Sequence, residues 1–120
     1  FTEPYCTDLR SALVKAATSA GIDIIKDGTY GATQGPRLET AMEIVRMEKD
    51  GCDIVGMTGM PEAALARELG LCYAHCSVVA NRAAGKGDGP ITMEEIETNM
   101  SNGMVSVYAL LQDLGKILCC

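Results

Sequence analysis

An α/β fold is what this sequence predicts. Segments whose apolar residues recur at helical spacing alternate with short β-branched or continuously apolar runs, and a glycine marks most of the junctions. At 120 residues the chain fits a single domain, 1–120, with enough sequence to bury a core of its own. No internal repeat, linker or low-complexity tract divides it.

The elements can be justified in order. Leu9, Leu13, Ala16, Ala17 and Ala20 share one helical face and Gly21 follows them directly, which predicts a first helix over 7–19. The stretch 22–26 is β-branched, Asp27-Gly28 is a turn signal, and the chain from Thr29-Tyr30 onward can return as a second strand, so a hairpin is expected. Residues 39–49 carry Ala41, Ile44, Val45 and Met47 in helical order, entered through Pro36 and ended near Asp50-Gly51. Ile54-Val55-Gly56 reads as a short buried strand. Residues 60–69 are rich in Ala, Leu, Glu and Arg, with Pro61 at a helix-initiating position, and predict a helix that stops at Gly70. An apolar run over 71–79 suits a central strand, and the glycine-rich stretch 81–90 is loop. Thr92, followed three residues on by Glu95, has the pattern of a capping box and opens a last helix expected to run to about Lys116.

Sixteen acidic against ten basic residues give a formal net charge of −6. Sequence-independent nucleic-acid binding needs a concentrated basic surface, and this chain has no basic cluster, so a nucleic-acid partner is not expected. No apolar stretch approaches the roughly 20 residues of a membrane span and no leader pattern opens the chain, so the expectation is a soluble cytoplasmic protein without a membrane partner. The chain starts Phe1-Thr2-Glu3-Pro4, which reads like the middle of a protein and predicts a fragment.

Six cysteines fall at irregular spacing: Cys6, Cys52, Cys72 and Cys76 inside apolar segments, Cys119 and Cys120 at the end. They are expected to be free, mostly buried thiols. Cys119-Cys120 could serve redox or crosslinking chemistry, and a frayed terminus without function is the plainer account. The single His75, beside Cys76, lacks the paired spacing of zinc sites, so no metal is expected.

Two segments carry the functional signal. Gly28-Thr29-Tyr30-Gly31-Ala32-Thr33-Gln34-Gly35-Pro36-Arg37-Leu38-Glu39-Thr40 is followed by Gly56-Met57-Thr58-Gly59-Met60-Pro61-Glu62, and Asn81 comes later, where the 71–79 run gives way to loop. Such strand-to-loop transitions are where α/β sheets commonly bind ligands. In order and spacing these residues resemble the nucleoside-binding half of the trimeric purine nucleoside phosphorylase and methylthioadenosine phosphorylase family. The resemblance runs over 1–114, matches the C-terminal half of such proteins and is nearest to the bacterial methylthioinosine type. It implies a mixed central β-sheet flanked by helices, a homotrimer, and phosphorolysis of a purine nucleoside with inorganic phosphate as co-substrate and no metal or organic cofactor.

Phosphorolysis parts base from sugar through an oxocarbenium-like state, so the departing purine needs donors and the phosphate must be held below the ribose. The resemblance places Asn81 against purine N7 and the six-position substituent, as the catalytic residue. An amide NH₂ donates to N7 and to a six-oxo oxygen, which favours hypoxanthine-like bases; the alternative is an Asn that simply turns the chain. The position of Glu39 matches a Glu in relatives that cleave six-oxopurine nucleosides, where a carboxylate accepts from the N1–H that adenine lacks. Its alternative role is a first-turn acid at a helix N-terminus, worth a few tenths to about 1 kcal/mol.

Leu38 stands where the family often has a stacking Phe. Met57 is implied to pack on the ribose and Thr58 to donate to phosphate, with a purely structural Met-Thr pair as the alternative. Tyr30 and Thr33 are implied to line the same pocket. At the start of the last helix, where inosine and guanosine phosphorylases usually present a His to the 5′-hydroxyl, this chain has Met93, with Ile96 one turn on. A thioether gains from apolar burial, whereas a buried unpaired hydroxyl costs about 1–3 kcal/mol, so the pair points to 5′-methylthioinosine. The alternative is that Met93 and Ile96 belong to the buried stripe of an amphipathic helix.

The family's glycine-rich phosphate loop and its phosphate Arg and His have no counterpart in these residues, so the chain alone is expected to be catalytically incomplete. Inosine/guanosine or methylthioadenosine phosphorolysis are the other enzyme readings, and a non-catalytic nucleoside-binding or oligomerisation module is the reading of another class.

Overall fold

Three helices end in the same way, and the sequence says why. In the computed structural model, which describes residues 1–118, helix α1 (Thr7–Ser19) stops where Gly21 takes a φ of 67°. Helix α2 (Ala41–Lys49) stops at Gly51, φ 89°, and α3 (Glu62–Glu68) at Gly70, φ 67°. Each glycine and the residue after it donate back into the last turn: Gly21 to Thr18 and Ile22 to Ala17, Gly51 to Glu48 and Cys52 to Met47, Gly70 to Arg67 and Leu71 to Ala66. A left-handed glycine followed by an apolar residue is what this closure requires, and all three are visible in the sequence.

Strand β1 (Tyr30–Ala32) pairs in parallel with β2 (Ile54–Gly56), Tyr30 opposite Ile54 and Ala32 opposite Gly56. A parallel pair needs a crossover, and α2 supplies it. The long last helix, α4 (Met93–Leu118), returns across the molecule onto α1. Ala12, Ala16 and Ala17 of α1 are buried against Leu110 and Leu114, with Leu9, Leu13, Ile22 and Ile24 packed around them. Ala16 and Ala17 are essentially inaccessible, so their small side chains let the two helices approach closely. Ile44 and Met47 of α2 and Ala63 and Ala66 of α3 are also buried.

This is the predicted α/β class, with four differences in detail. First, 22–26 does not form a hairpin with 29 onward. Asp27-Gly28 is bypassed as a tight turn because Thr29 turns to the 53–54 segment: its N–H donates to Asp53 Oδ2 at 2.7 Å and its carbonyl accepts from Asp53 and Ile54. The alternation in 22–26 is real, since Ile22 and Ile24 face the α1/α4 core and Ile25 is exposed, but no described strand pairs with it.

Second, 71–79 forms no strand ladder among the described residues. Its apolar content does not become buried either, as Leu71 and Val79 are both exposed. Third, Cys6 and Cys72 are joined in a disulfide instead of being free, and the free Cys76 is exposed instead of buried. The Cys6 N–H donates to Tyr73 O at 2.7 Å and brings together two cysteines 66 residues apart, a contact that irregular spacing cannot announce. Cys52 is free and half-buried; Cys119 and Cys120 lie outside the described residues.

Fourth, the helix starts move. The 39–49 helix begins at Ala41 with Thr40 as its cap, and the 60–69 helix begins at Glu62 with Pro61 as its cap. The last helix runs two residues past Lys116, and the Glu95 N–H donates to Thr92 Oγ1 at 3.2 Å as the capping pattern predicts. No helix among the described residues is long and apolar enough to cross a membrane.

Candidate functional site

Two parallel strands end at the same edge, and the candidate residues are concentrated there. Thr33 directly follows β1, while Met57 and Thr58 directly follow β2. Thr33 is bound to the neighbouring strand through its N–H, which donates to Gly56 O at 2.9 Å. Its hydroxyl donates to Glu39 Oε1 at 2.7 Å and lies 3.3 Å from Gly56 O. A hydroxyl has one proton, and the nearer, charged acceptor takes it.

Glu39 is available for this because another residue caps the helix. Thr40 Oγ1 accepts the Glu43 N–H at 3.2 Å and Glu43 Oε2 accepts the Thr40 N–H at 2.8 Å, a complete capping box. Arg37 grips the Glu43 carboxylate with both terminal nitrogens, at 2.8 and 2.7 Å. The Arg37 hydrogen bonds, aided by the Thr40 N–H, hold the Glu43 carboxyl down at about 2. The helix-terminus role weighed for Glu39 thus falls to Glu43.

On the β2 side, Tyr30 reaches across to Thr58. The Thr58 N–H donates to the Tyr30 hydroxyl at 3.2 Å, and the two hydroxyl oxygens are 3.4 Å apart. Two glycines make room for the ring: a Cβ on Gly56 would strike the Tyr30 hydroxyl, and one on Gly59 would stand 2.8 Å from its edge. Met57, half-buried, lies over the Gly35-Pro36 turn, where a Cβ on Gly35 would be 2.6 Å from its sulfur. This turn and Met60-Pro61 both contain cis peptide bonds.

The remaining candidates are less engaged. Asn81 is half-buried and its Nδ2 donates to Arg82 O at 2.7 Å, a local bond of the kind a turn-forming Asn makes. A carboxamide has two N–H donors and a carbonyl, so this bond occupies one group of three. Leu38 and Met93 are 65% and 67% exposed. Met93 is therefore not part of a buried stripe in this chain; the inward face of α4 begins with Ile96, which is half-buried. No described contact ties Asn81, Met93 or Ile96 to the Glu39–Thr58 cluster.

Sequence reasoning passes over two residues that matter here. The His75 ring lies 4.6 Å from the Tyr30 ring, tilted 55°, and Tyr5 stands behind it at 6.1 Å. Burial first, then the Tyr73 and Tyr30 hydroxyls, push the Tyr5 phenol above its ordinary 10.0. Asn99 of α4 donates to Ala80 O at 2.7 Å and so fixes the backbone next to Asn81. Only the Asn99 contact has a sequence signal, a polar side chain on the inward side of a helix. A cleft of about 120 Å³ beside β2, lined by Ile44, Met47, Cys52, Ile54, Val55 and Lys86, includes none of the candidates. Among the described residues no group of three or more His, Cys, Asp or Glu is placed to hold a metal ion.

Polar side chains delivered from the carboxyl ends of parallel strands are the ligand-binding edge of an α/β protein. The sequence profile of the phosphorylase superfamily matches residues 1–114, and the chain belongs to that family. It is 52% identical over 117 residues to a probable S-methyl-5′-thioinosine phosphorylase of Xanthomonas campestris, covering 97% of this chain and 47% of that protein. It is 57% identical over 111 residues to a protein of the same description from Pseudomonas syringae, covering 92% and 45%. Its structure superposes with a TM-score of 0.90 on methylthioadenosine phosphorylase from Schistosoma mansoni in complex with adenine, at 27% identity over 98% of this chain and 47% of that one. The chain spans about half the length of the curated relatives it matches.

Proposed function

We propose that this chain is the nucleoside-binding portion of a phosphorylase that cleaves the N-glycosidic bond of 5′-methylthioinosine with inorganic phosphate. In the reaction a phosphate oxygen bonds to C1′ as the C1′–N9 bond breaks, the purine leaves with the bonding pair, and a proton reaches its N7. The products are hypoxanthine and a methylthioribose 1-phosphate, which suits a salvage role in a cytoplasmic setting. Inorganic phosphate is the co-substrate, with no metal or organic cofactor, and the working enzyme is a homotrimer whose remaining segments supply further phosphate ligands.

The observation that carries the reading is the hydrogen bond from Thr33 to Glu39 at the edge where Thr58 also stands. With Oε1 receiving the Thr33 proton, the second carboxylate oxygen of Glu39 faces a ligand as a pure acceptor, matched to the N1–H of a six-oxopurine. Thr58 donates to phosphate, Met57 packs on the ribose, Leu38 covers the base, and Asn81 swings its amide from Arg82 to N7 and O6. Met93, exposed in this chain, and Ile96 form the apolar end that receives the methylthio group. The Schistosoma relative binds adenine, and the pairing of Glu39 with Asn81 argues for the other base class here, since adenine N1 is an acceptor that a carboxylate repels.

The test is a substrate comparison in a full-length protein carrying this chain. Turnover of 5′-methylthioinosine should exceed that of 5′-methylthioadenosine by at least about tenfold, because a site built around one hydrogen-bonding pattern strongly rejects the reverse pattern. Equal rates, or faster release of adenine, would overturn the base assignment.

A further inference from the structure

The hydroxyl of Tyr30 is engaged within the protein, not turned to the open edge. It accepts the Thr58 N–H at 3.2 Å and stands 3.4 Å from Thr58 Oγ1. Having accepted one proton, the phenol still has its own to give, and Thr58 Oγ1 is the acceptor beside it. If Tyr30 donates there, the single Thr58 proton is left to point outward. Bonds in such a series polarise one another, which makes the outermost donor a better one.

The ring is held as tightly as the hydroxyl. Gly56 and Gly59 form its seat, since a side chain at either would collide with it. The His75 imidazole covers the ring at 4.6 Å and is itself set by Tyr5 at 6.1 Å and by Ser77 Oγ, 3.3 Å from Nε2. The other imidazole nitrogen, Nδ1, is buried without a hydrogen-bond partner. An unpaired buried polar atom has a desolvation cost, so the ring stays in place through its aromatic contacts and Ser77, not because both nitrogens are satisfied.

We infer that Tyr30 is a positioning residue that aims the Thr58 hydroxyl, and that it governs how tightly the site takes phosphate instead of touching the nucleoside. His75 acts one step further back by fixing the Tyr30 ring. This assignment rests on the reading that Thr58 donates to phosphate, and it departs from the expectation that Tyr30 lines the nucleoside pocket.

The experiment compares Tyr30→Phe, Thr58→Ala and the double variant in a full-length protein carrying this chain, with 5′-methylthioinosine and inorganic phosphate varied separately. Phe keeps the ring on its glycine seat and removes only the hydroxyl. Tyr30→Phe should raise KM for phosphate about three- to tenfold, the worth of one net hydrogen bond, and change KM for the nucleoside less than about twofold. In the Thr58→Ala background the same substitution should add almost nothing. If Thr58→Ala raises the phosphate KM and Tyr30→Phe does not, the positioning role is overturned while the phosphorylase reading stands. If Tyr30→Phe raises both KM values equally, Tyr30 serves the nucleoside or the fold, and the inference is again overturned. If Thr58→Ala leaves the phosphate KM unchanged, the role of Thr58 fails and the inference fails with it.

Discussion

The edge formed by β1 and β2 and the region formed by 81–90 with the start of α4 both carry residues of the candidate site, yet they are organised very differently. At the first, every candidate polar side chain is tied to another part of the chain: Thr33 to Glu39, and Tyr30 to Thr58. At the second, Asn81 bonds to its own neighbour and Met93 faces outward. Pre-organised groups bind without an ordering cost, whereas loosely held ones must be ordered by the ligand or by other parts of the protein. In the proposed function, the base-edge acceptor and the phosphate donor would thus be built into this chain, while the N7 and 5′ contacts would be completed on binding.

The largest effect should come from the scaffold. Leu110 is buried between α1 and α4, and Leu110→Ala should lower unfolding stability by about 2–5 kcal/mol in urea titrations. Amide exchange should rise along α1 and α4 while β1 and β2 keep their protection; an equal rise in both would dissolve the distinction between the two regions. Next, Gly56→Ala places a methyl on the Tyr30 hydroxyl, and in a full-length protein carrying this chain the proposed phosphorolysis should drop by more than about tenfold as Thr58 loses its orientation. Normal activity would mean that the tight cluster is not the working one.

Asn81→Asp introduces a group that can protonate N7 and accept from a six-amino substituent. It should shift the ratio of six-amino to six-oxo substrates by about tenfold, roughly one hydrogen bond, and unchanged selectivity would leave Asn81 as a turn residue. Met93→His should raise activity on inosine relative to 5′-methylthioinosine by about two- to fivefold, a fraction of one hydrogen bond because the residue is exposed. An unchanged ratio would remove Met93 from the 5′ pocket.

The smallest effect is in acid. Glu43 is held at about 2 against an ordinary 4.5, chiefly by Arg37. Since the folded value is the lower one, this carboxylate contributes stability that is full above about 4.5 and lost as pH falls toward 2. Both partners are solvent-exposed to a degree that screens the pair, so the change is small. Glu43→Gln should flatten that limb of the stability curve, and an unchanged limb would show that the Arg37–Glu43 pair does not contribute to folding stability.

What was legible in the sequence follows from how local the causes are. The three helix stops at Gly21, Gly51 and Gly70 could be read directly, because a left-handed glycine acts over one turn. The Thr40–Glu43 capping box is equally local, yet a reading that starts this helix at 39 passes over it. The parallel pairing of β1 with β2 was not, since the apparent hairpin at Asp27-Gly28 competes on local evidence and loses to a carboxylate 24 residues away from Thr29. The strand character expected of 71–79 depends on neighbours that the described residues do not supply. Of the site, Glu39, Thr58 and Asn81 stood out by motif, but motif alone could not tell that Thr33 holds Glu39 or that Tyr30 holds Thr58. Those contacts depend on the register of two strands, and His75 reaches Tyr30 only through the path of a segment without regular structure.

The central claim is that the Glu39–Thr58 edge serves phosphate-dependent removal of a six-oxopurine from a nucleoside. Release of hypoxanthine from 5′-methylthioinosine, followed with and without inorganic phosphate in a full-length protein carrying this chain, tests it most directly. Release that requires phosphate and falls steeply in Thr58→Ala is the predicted result. Release that proceeds equally without phosphate, or no release at all, would contradict the claim and leave a nucleoside-binding module as the better description.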